Sequence, residues 1–452
     1  MAKTTAQDTA VAPRGLVARL PRLRRSDAPL FAWLMVLPAV AVLLAVTVYP
    51  LIYSLRESFY RLELSFSPVA HWVGLQNYVD AFTKDPRFWP AMGRSFYLVG
   101  FGVLIELVLG FGLALVLNQL GRTRTLVTAL LLVPVMIAPV AVAIEGVVIF
   151  NNSWGPLNYL LSEIGINGPV WLGDRSVALN SILLADVWQW TPFVAIILAA
   201  GLRTLPEEQY EAAAVDGASR WQLFRTMTLP LLQPLIIVTV LIRAMDIFKT
   251  FDTIYVMTGG GPGSATETAS FYTYLQGLQF FSFGYHDRRD DPRSPDAQGP
   301  RVNRIAKNGL TWLVVVVALA FFLLPVVWIV ITSFKTQGEV FHYPPIFHPK
   351  QIDFRHYSSV LSGPGGHALK DSLIVASANT ALALLVGVPT AYSISRFRVG
   401  GQHLAFWILS IRMFPPVASA VPLFLLFQKY QMLDTYWALI IAYLTFNVPF
   451  VV

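Results

Sequence analysis

The stretch EAAAVDGASRWQLFRTMTLPLLQP, Glu211 to Pro234, sits between two long apolar runs. Its residues spell a pair of short helices. Thr204 with Glu207 three residues on has the spacing of a reciprocal helix cap, and Pro206 is tolerated in a first turn. Ala212, Ala213 and Ala214 are the best helix formers. Gly217 suits a helix stop. Ser219 and Gln222 then repeat the cap spacing for a second helix, which Pro230 is expected to end or kink. Small residues on the first helix would let another surface come close, and Glu211 puts an acid there. Spacing alone leaves open whether this hairpin has a partner. The answer depends on what surrounds it.

What surrounds it is lipid-compatible. The chain has 452 residues, and only 13% are charged; soluble domains carry about 25%. Mean hydropathy is +0.57. Cysteine is absent, which excludes disulfides, iron–sulfur clusters and cysteine-type zinc sites. Histidines show no HExxH spacing, and no G-x-x-x-x-G-K-[ST] loop is present to bind ATP. A net charge of +7 would suggest nucleic acid in a soluble protein. Here the basic residues gather in the first 30 residues and in short loops beside apolar runs, the pattern that orients membrane proteins, so no nucleic acid is expected.

A bilayer is crossed by about 20 apolar residues. Such runs occur at Phe31–Leu55, Ser95–Asn118, Leu126–Phe150, Ala178–Gly201 and Leu235–Met257. The loop GRTRT, Gly121–Thr125, is short and basic, hence inside. With the tail (1–30) also cytoplasmic, parity puts the Glu211 segment inside. A charged stretch, 286–308, then precedes further runs at Leu310–Phe334, Asp371–Ile394, Leu404–Phe427 and Tyr436–Val452. The basic loop Arg396–His403 falls where GRTRT fell. The expected fold is all-α, a polytopic transmembrane bundle of two related halves, 31–285 and 309–452. One crossing is missing between them, since Thr268–Tyr285 is aromatic with few aliphatic residues. The chain stops inside an apolar run, so the second half reads as C-terminally incomplete.

At this point the residues carry a resemblance. Glu211-Ala212-Ala213, Gly217 and Met227-Thr228-Leu229-Pro230 resemble the EAA loop of permease subunits of ABC importers, with Met227 in place of isoleucine. FDTIYVMTGGGPGSATET (Phe251–Thr268) and VGLQNYVDAFTKDPRFWPA (Val73–Ala91) resemble carbohydrate permeases of the maltose-transporter type. SFKTQGEVFHYPP (Ser333–Pro345) and MFPPVASAVPLFLLFQKYQMLDTYWAL (Met413–Leu439) resemble the partner permease of the same systems. The chain thus resembles two permeases fused, the second truncated. The resemblance implies a type I importer fold in the inner membrane and import of a carbohydrate or polyol. It implies ATPase docking through the segment 202–234, at Glu211, Ala212, Ala213, Asp216, Gly217, Leu229 and Pro230. The implied partners are ATP-binding subunits, a partner permease, an extracellular solute-binding protein and membrane lipid. ATP is used by the partner subunits; this chain binds no cofactor and catalyses nothing.

Other candidates lie inside the spans. Arg243, Asp246, Lys249 and Asp252 stand three apart with alternating sign, so each could pair with the next. They read either as a lining of the transport path or as a structural ion-pair ladder. Glu106, Glu145 and Asp186, with Trp188, Gln189 and Trp190, suit a sugar, or the tryptophans form an interfacial belt. Gly100, Gly102, Gly110 and Gly112 read as close-packing positions. Two rival readings stay open: an ion-coupled transporter using the 243–252 charges, and a non-functional fusion remnant.

Overall fold

A computed structural model describes residues 28–63, 67–121, 123–276, 309–411 and 416–452. Six of its helices are long and apolar enough to cross a membrane, or seven if a bent pair counts as one. In chain order the elements that matter here are α1 (Leu30–Glu57) and α2 (Phe88–Gln119), then the bent pair α3 (Arg124–Met136) and α4 (Pro139–Ile149). Next come α5 (Ala178–Leu202), α6 (Glu207–Val215) and α7 (Trp221–Phe248). Two short helices follow, α8 (Asp252–Met257) and α9 (Ala269–Tyr274). The second half has α10 (Gly309–Ser333), α11 (Pro364–Phe397), α12 (Gly401–Ile411), α13 (Pro416–Lys429) and α14 (Tyr436–Val451). One two-stranded antiparallel sheet, Tyr60–Glu63 with Ser67–Trp72, is the sole strand pairing among the described residues. The expected all-α membrane fold is what the chain adopts.

The sequence reading had Leu126–Phe150 as one span. Instead α3 and α4 meet at 87°. Pro139 disfavours a helical residue before it, and Ile137 and Ala138 are extended, with ψ of 133° and 138°. The run Leu235–Met257 is also not one helix. α7 begins earlier, at Trp221, and stops at Phe248, leaving α8 beyond a break. Of the four span glycines, two sit at close approaches. A Cβ on Gly110 would come within 2.8 Å of Val194 Cγ1 on α5, and one on Gly102 within 2.8 Å of Ile247 Cδ1 on α7. Gly100 and Gly112 face open space, so packing does not require them.

The two halves exchange their first helices. On α1, Ala32, Val36, Ala39 and Leu43 recur every three or four residues and are fully buried, the stripe of a helix packed on one side. That stripe lies on the second half: Ala39 and Leu43 cluster with Val375 and Ala383 of α11 and Leu444 and Val448 of α14. Ser393 Oγ donates to Ala32 O (2.7 Å) and Thr390 Oγ1 to Met35 O (3.2 Å). Reciprocally, Val315 and Phe322 of α10 enter the core of the first half beside Val127, Leu131 and Trp188. Trp188 Nε1 donates to Phe321 O (3.1 Å).

The bundle has two ends. The C-terminus of α2, the N-terminus of α3, the C-terminus of α5 and Tyr210 and Glu211 of α6 line one cavity of about 1050 Å³. The basic loop 121–125 and the Glu211 segment therefore share this end, which we call the hairpin end. α10 starts there too, since Thr311 Oγ1 donates to Gln119 Oε1 (3.1 Å). At the far end the loop after α8 folds over the start of α2, where Arg87 grips the buried Glu267 carboxylate (2.8 Å). α9 packs there as well: Ala269 N–H donates to Ser95 Oγ (2.9 Å), and Tyr272 donates to Asp85 (2.5 Å). The missing crossing and the charged 286–308 stretch lie outside the described residues, but their flanks, α9 and the start of α10, lie toward opposite ends.

Candidate functional site

The Glu211–Pro234 segment forms the hairpin its spacing predicts, with one change. α6 ends at Val215, and Gly217 takes φ +84°, a left-handed conformation that a Cβ would strain. Ala218 N–H reaches back to Ala213 O (3.0 Å), closing the turn. Ser219 and Gln222 form the reciprocal cap: Ser219 N–H donates to Gln222 Oε1 (2.7 Å) and Gln222 N–H to Ser219 Oγ (3.3 Å). Thr204 Oγ1 donates backward to Gly201 O (2.8 Å), serving the end of α5. Pro230 does not end or kink the second helix. Residues Phe224–Thr228 widen into a π-helical turn just before it, and the helix runs through to Phe248. A wider turn accommodates the ring and the missing N–H.

Glu211, Asp216 and Gly217 are exposed, Ala213 is partly buried, and Leu229 and Pro230 lie where the helix enters the bundle. Ala212 sits on the same short helix. Glu211 forms no ion pair among the described residues. Val215 is 87% exposed and Trp221 56%, so the hairpin shows apolar as well as acidic surface. It is braced from behind. Tyr210 hydroxyl meets Thr228 Oγ1 (2.9 Å), and Phe224 packs edge-on against Phe111 of α2 (5.3 Å). The hairpin is thus a firm, outward-facing knob on a membrane bundle.

The span charges assemble differently from the ladder their spacing suggests. Arg243 is 1% exposed, and it pairs across helices. Its Nε donates to Glu106 Oε2 of α2 (2.6 Å), and its Nη2 to Glu106 Oε1 (2.7 Å) and Asp186 Oδ2 of α5 (2.8 Å). Trp190 lies under the guanidinium at 4.8 Å, a favourable cation–π contact. Lys249 pairs with Asp246 (2.8 Å), both half-buried. Asp252 stands across the break after α7, exposed in the first turn of α8, so the row of four is interrupted. The reason is geometric: steps of three wind around a helix of 3.6 residues per turn, and α7 stops before the row does. From sequence Glu106 reads as one of the span groups that suit a sugar; here it is bound to Arg243. Nothing in local spacing points to a partner 137 residues away.

Gln189 is 3% exposed, and its Nε2 donates to Ile137 O (2.8 Å), the carbonyl freed at the α3–α4 corner. It holds the bend. The interfacial-belt reading also fails for Trp188, which is buried and donates into α10. Glu145 is apart from all of these: it is 4% exposed, and neither carboxylate oxygen has a partner among the described residues. Among the described residues no cluster of His, Cys, Asp and Glu could hold a metal.

Residues 106–337 match the family model of binding-protein-dependent transport system inner membrane components. The trehalose/maltose transport system permease protein MalF of Thermococcus litoralis is 37% identical over 256 residues, 56% of this chain and 85% of that protein. The diacetylchitobiose uptake system permease protein DasB of Streptomyces coelicolor is 33% identical over 252 residues, 54% of this chain and 76% of that protein. A chain from the crystal structure of a bacterial ABC transporter that imports alginate is 25% identical, at a TM-score of 0.49, over 67% of this chain and 94% of that one. The matched region takes in the charge site and the α6–α7 hairpin, on a multi-pass bundle. The chain therefore belongs to the family of binding-protein-dependent transport system inner membrane components, and is a permease subunit of an ABC importer.

Proposed function

We propose that this chain forms the membrane path of an ATP-driven importer for a carbohydrate or polyol, and that the α6–α7 hairpin is where ATPase subunits dock. The observation that carries the proposal is the hairpin itself. It is a capped, internally braced helix–turn–helix with an exposed, unpaired Glu211 and exposed Val215 and Trp221. A surface patch of this kind fits a protein partner better than water. Glu211 pairs with a basic residue of the ATPase, Ala212 and Ala213 allow close approach, and Asp216 and Gly217 form the turn that seats it. Leu229 and Pro230 pass the motion into α7. ATP is bound by the partner subunits, whose closure moves the hairpin and rocks the spans. The chain itself performs no chemistry.

The hairpin end faces the cytoplasm in this proposal, with the N-terminus on the same side. The basic loop 121–125 at that end supports it. An external solute-binding protein delivers substrate to the far end. The sugar-transport names of the relatives support the substrate class. A second permease surface is supplied by the 309–452 half, whose first helix exchanges with α1. We assign the path lining to Asp186, Asp246, Lys249 and Asp252, which keep some exposure. Gln189 shapes it indirectly by fixing the bend. An ion-coupled mechanism loses its motif, because Arg243 is fully engaged by Glu106 and Asp186.

Glu211→Lys tests the coupling. Reconstituted with its ATPase, the variant should keep its elution profile and helix content and lose ATP-dependent uptake at least tenfold. Undiminished uptake would rule out docking through Glu211.

A further inference from the structure

Between α4 of the first half and α10 of the second lies a cavity of about 330 Å³. Its polar groups are divided by helix. From α4 comes Glu145, an acceptor whose two carboxylate oxygens have no protein partner. From α10 come two donors, Trp328 Nε1–H and Thr332 Oγ1–H, also without partners. Ala141, Ile144 and Ile329 form apolar walls. The remaining hydroxyl, Ser333, is already engaged with Val330 O and Tyr357. A buried carboxylate without a counter-charge is strongly unfavourable, and an occupant that brings positive charge as well as hydrogen bonds relieves that cost.

Position narrows the occupant. Glu145 is four residues from Ile149, the end of α4, about 6 Å at 1.5 Å per residue. Thr332 is one residue from the end of α10. Glu145 and Thr332 therefore sit close to the far-end termini of α4 and α10, with Trp328 one turn further in, a position that suits a headgroup at the edge of the hydrocarbon core. Ala141 precedes Glu145 by one turn of α4, and Ile329 is next to Trp328 on α10. Of the lining residues Ile144 is 55% exposed, and Val327 and Val330 on the same helix as Trp328 are 51% exposed, so the outer surface around the cavity is apolar. Lys335, itself 1% exposed, places its Nζ 3.8 Å from the Trp328 ring centroid. A cation beside the indole favours an anionic group on the donor side.

We propose that this cavity binds one phospholipid with a primary-ammonium, zwitterionic headgroup, joining the two halves of the protein at the bent span. The ammonium donates to Glu145. Phosphate oxygens accept from Trp328 and Thr332. The acyl chains run along Ala141, Ile144 and Ile329. A choline headgroup cannot donate to Glu145, a glycerol headgroup brings no positive charge, and a neutral sugar leaves the carboxylate uncompensated and the apolar walls bare.

The test is native mass spectrometry of the full chain in detergent, titrated with phosphatidylethanolamine, phosphatidylcholine and phosphatidylglycerol of identical acyl chains. One phosphatidylethanolamine should be retained at least tenfold more tightly than either other lipid. Glu145→Gln should bring it within twofold of phosphatidylcholine. Ile329→Trp, which fills the cavity and leaves Glu145 in place, should remove the preference independently, so a folding defect in one variant does not decide the matter. Equal retention of the three lipids by the unaltered chain would overturn the proposal. So would a preference unchanged in both variants, or a trehalose adduct that Glu145→Gln abolishes in place of the lipid. None of these outcomes bears on ATPase docking, which is read separately at Glu211.

Discussion

The hairpin at 207–223 and the charge site around Arg243 belong to neighbouring stretches of chain, yet they are built on opposite principles. The hairpin is local. Its cap joins residues three apart, its turn rests on Gly217, and its acid is exposed with no ion pair among the described residues. The charge site is non-local. Arg243 reaches Asp186, 57 residues away, and Glu106, 137 away, and almost nothing is left exposed. One region keeps its chemistry available to a partner, and the other consumes its chemistry within the bundle. The difference is why the proposal puts coupling on the exposed acid at the surface rather than on the saturated arginine in the core.

The comparison breaks most sharply at Arg243. Arg243→Ala leaves two buried carboxylates facing each other without a cation, and loss of one member of such a cluster costs about 3–5 kcal/mol. The detergent-solubilised variant should show a much lowered thermal unfolding midpoint. Replacing Arg243, Glu106 and Asp186 together with apolar residues of similar volume should recover most of that loss. If Arg243→Ala melts like the unaltered chain, the site does not carry the structure.

Gln189→Ala is the intermediate case. It strands the Ile137 carbonyl at the α3–α4 corner, and an unsatisfied buried acceptor costs about 1–3 kcal/mol. A smaller downward shift of the midpoint is expected, with hydrogen exchange accelerated around residues 137–142. The smallest effect belongs to the hairpin. Ser219→Ala removes one cap, worth about 1 kcal/mol, so exchange at Gln222 N–H should speed up while the global midpoint barely moves. A large global shift would mean that the hairpin is part of the core.

The same contrast explains what could be read from sequence. Capping, the Gly217 turn and the membrane spans are short-range signals, and they were legible, as was the resemblance carried by Glu211-Ala212-Ala213 and Gly217. Thr204 had the right spacing for a cap, and its hydroxyl also donates to Gly201 O at the end of α5, a bond that spacing does not announce. The Leu126–Phe150 run has span length, but Pro139 sits where a helix cannot continue straight. The Arg243–Asp252 spacing promised a ladder. Buried partners on α2 and α5 outcompeted neighbours along the chain, because a desolvated guanidinium gains most where two acids can surround it. The exchange of α1 and α10 between halves left no local trace at all. α1 bears an apolar stripe, but a stripe does not say which helix will cover it.

The central claim is that the hairpin, and not another face of the molecule, meets the ATPase. The chain has no cysteine, so a single cysteine can be placed without background. Val215→Cys, on the exposed tip of α6, and Ser153→Cys, in a far-end loop, should be compared by disulfide cross-linking to an ATPase subunit carrying one surface cysteine in its membrane-facing groove. The account predicts a cross-link from Val215→Cys that changes in yield when ATP is added, and none from Ser153→Cys. A cross-link from Ser153→Cys with none from Val215→Cys would contradict it.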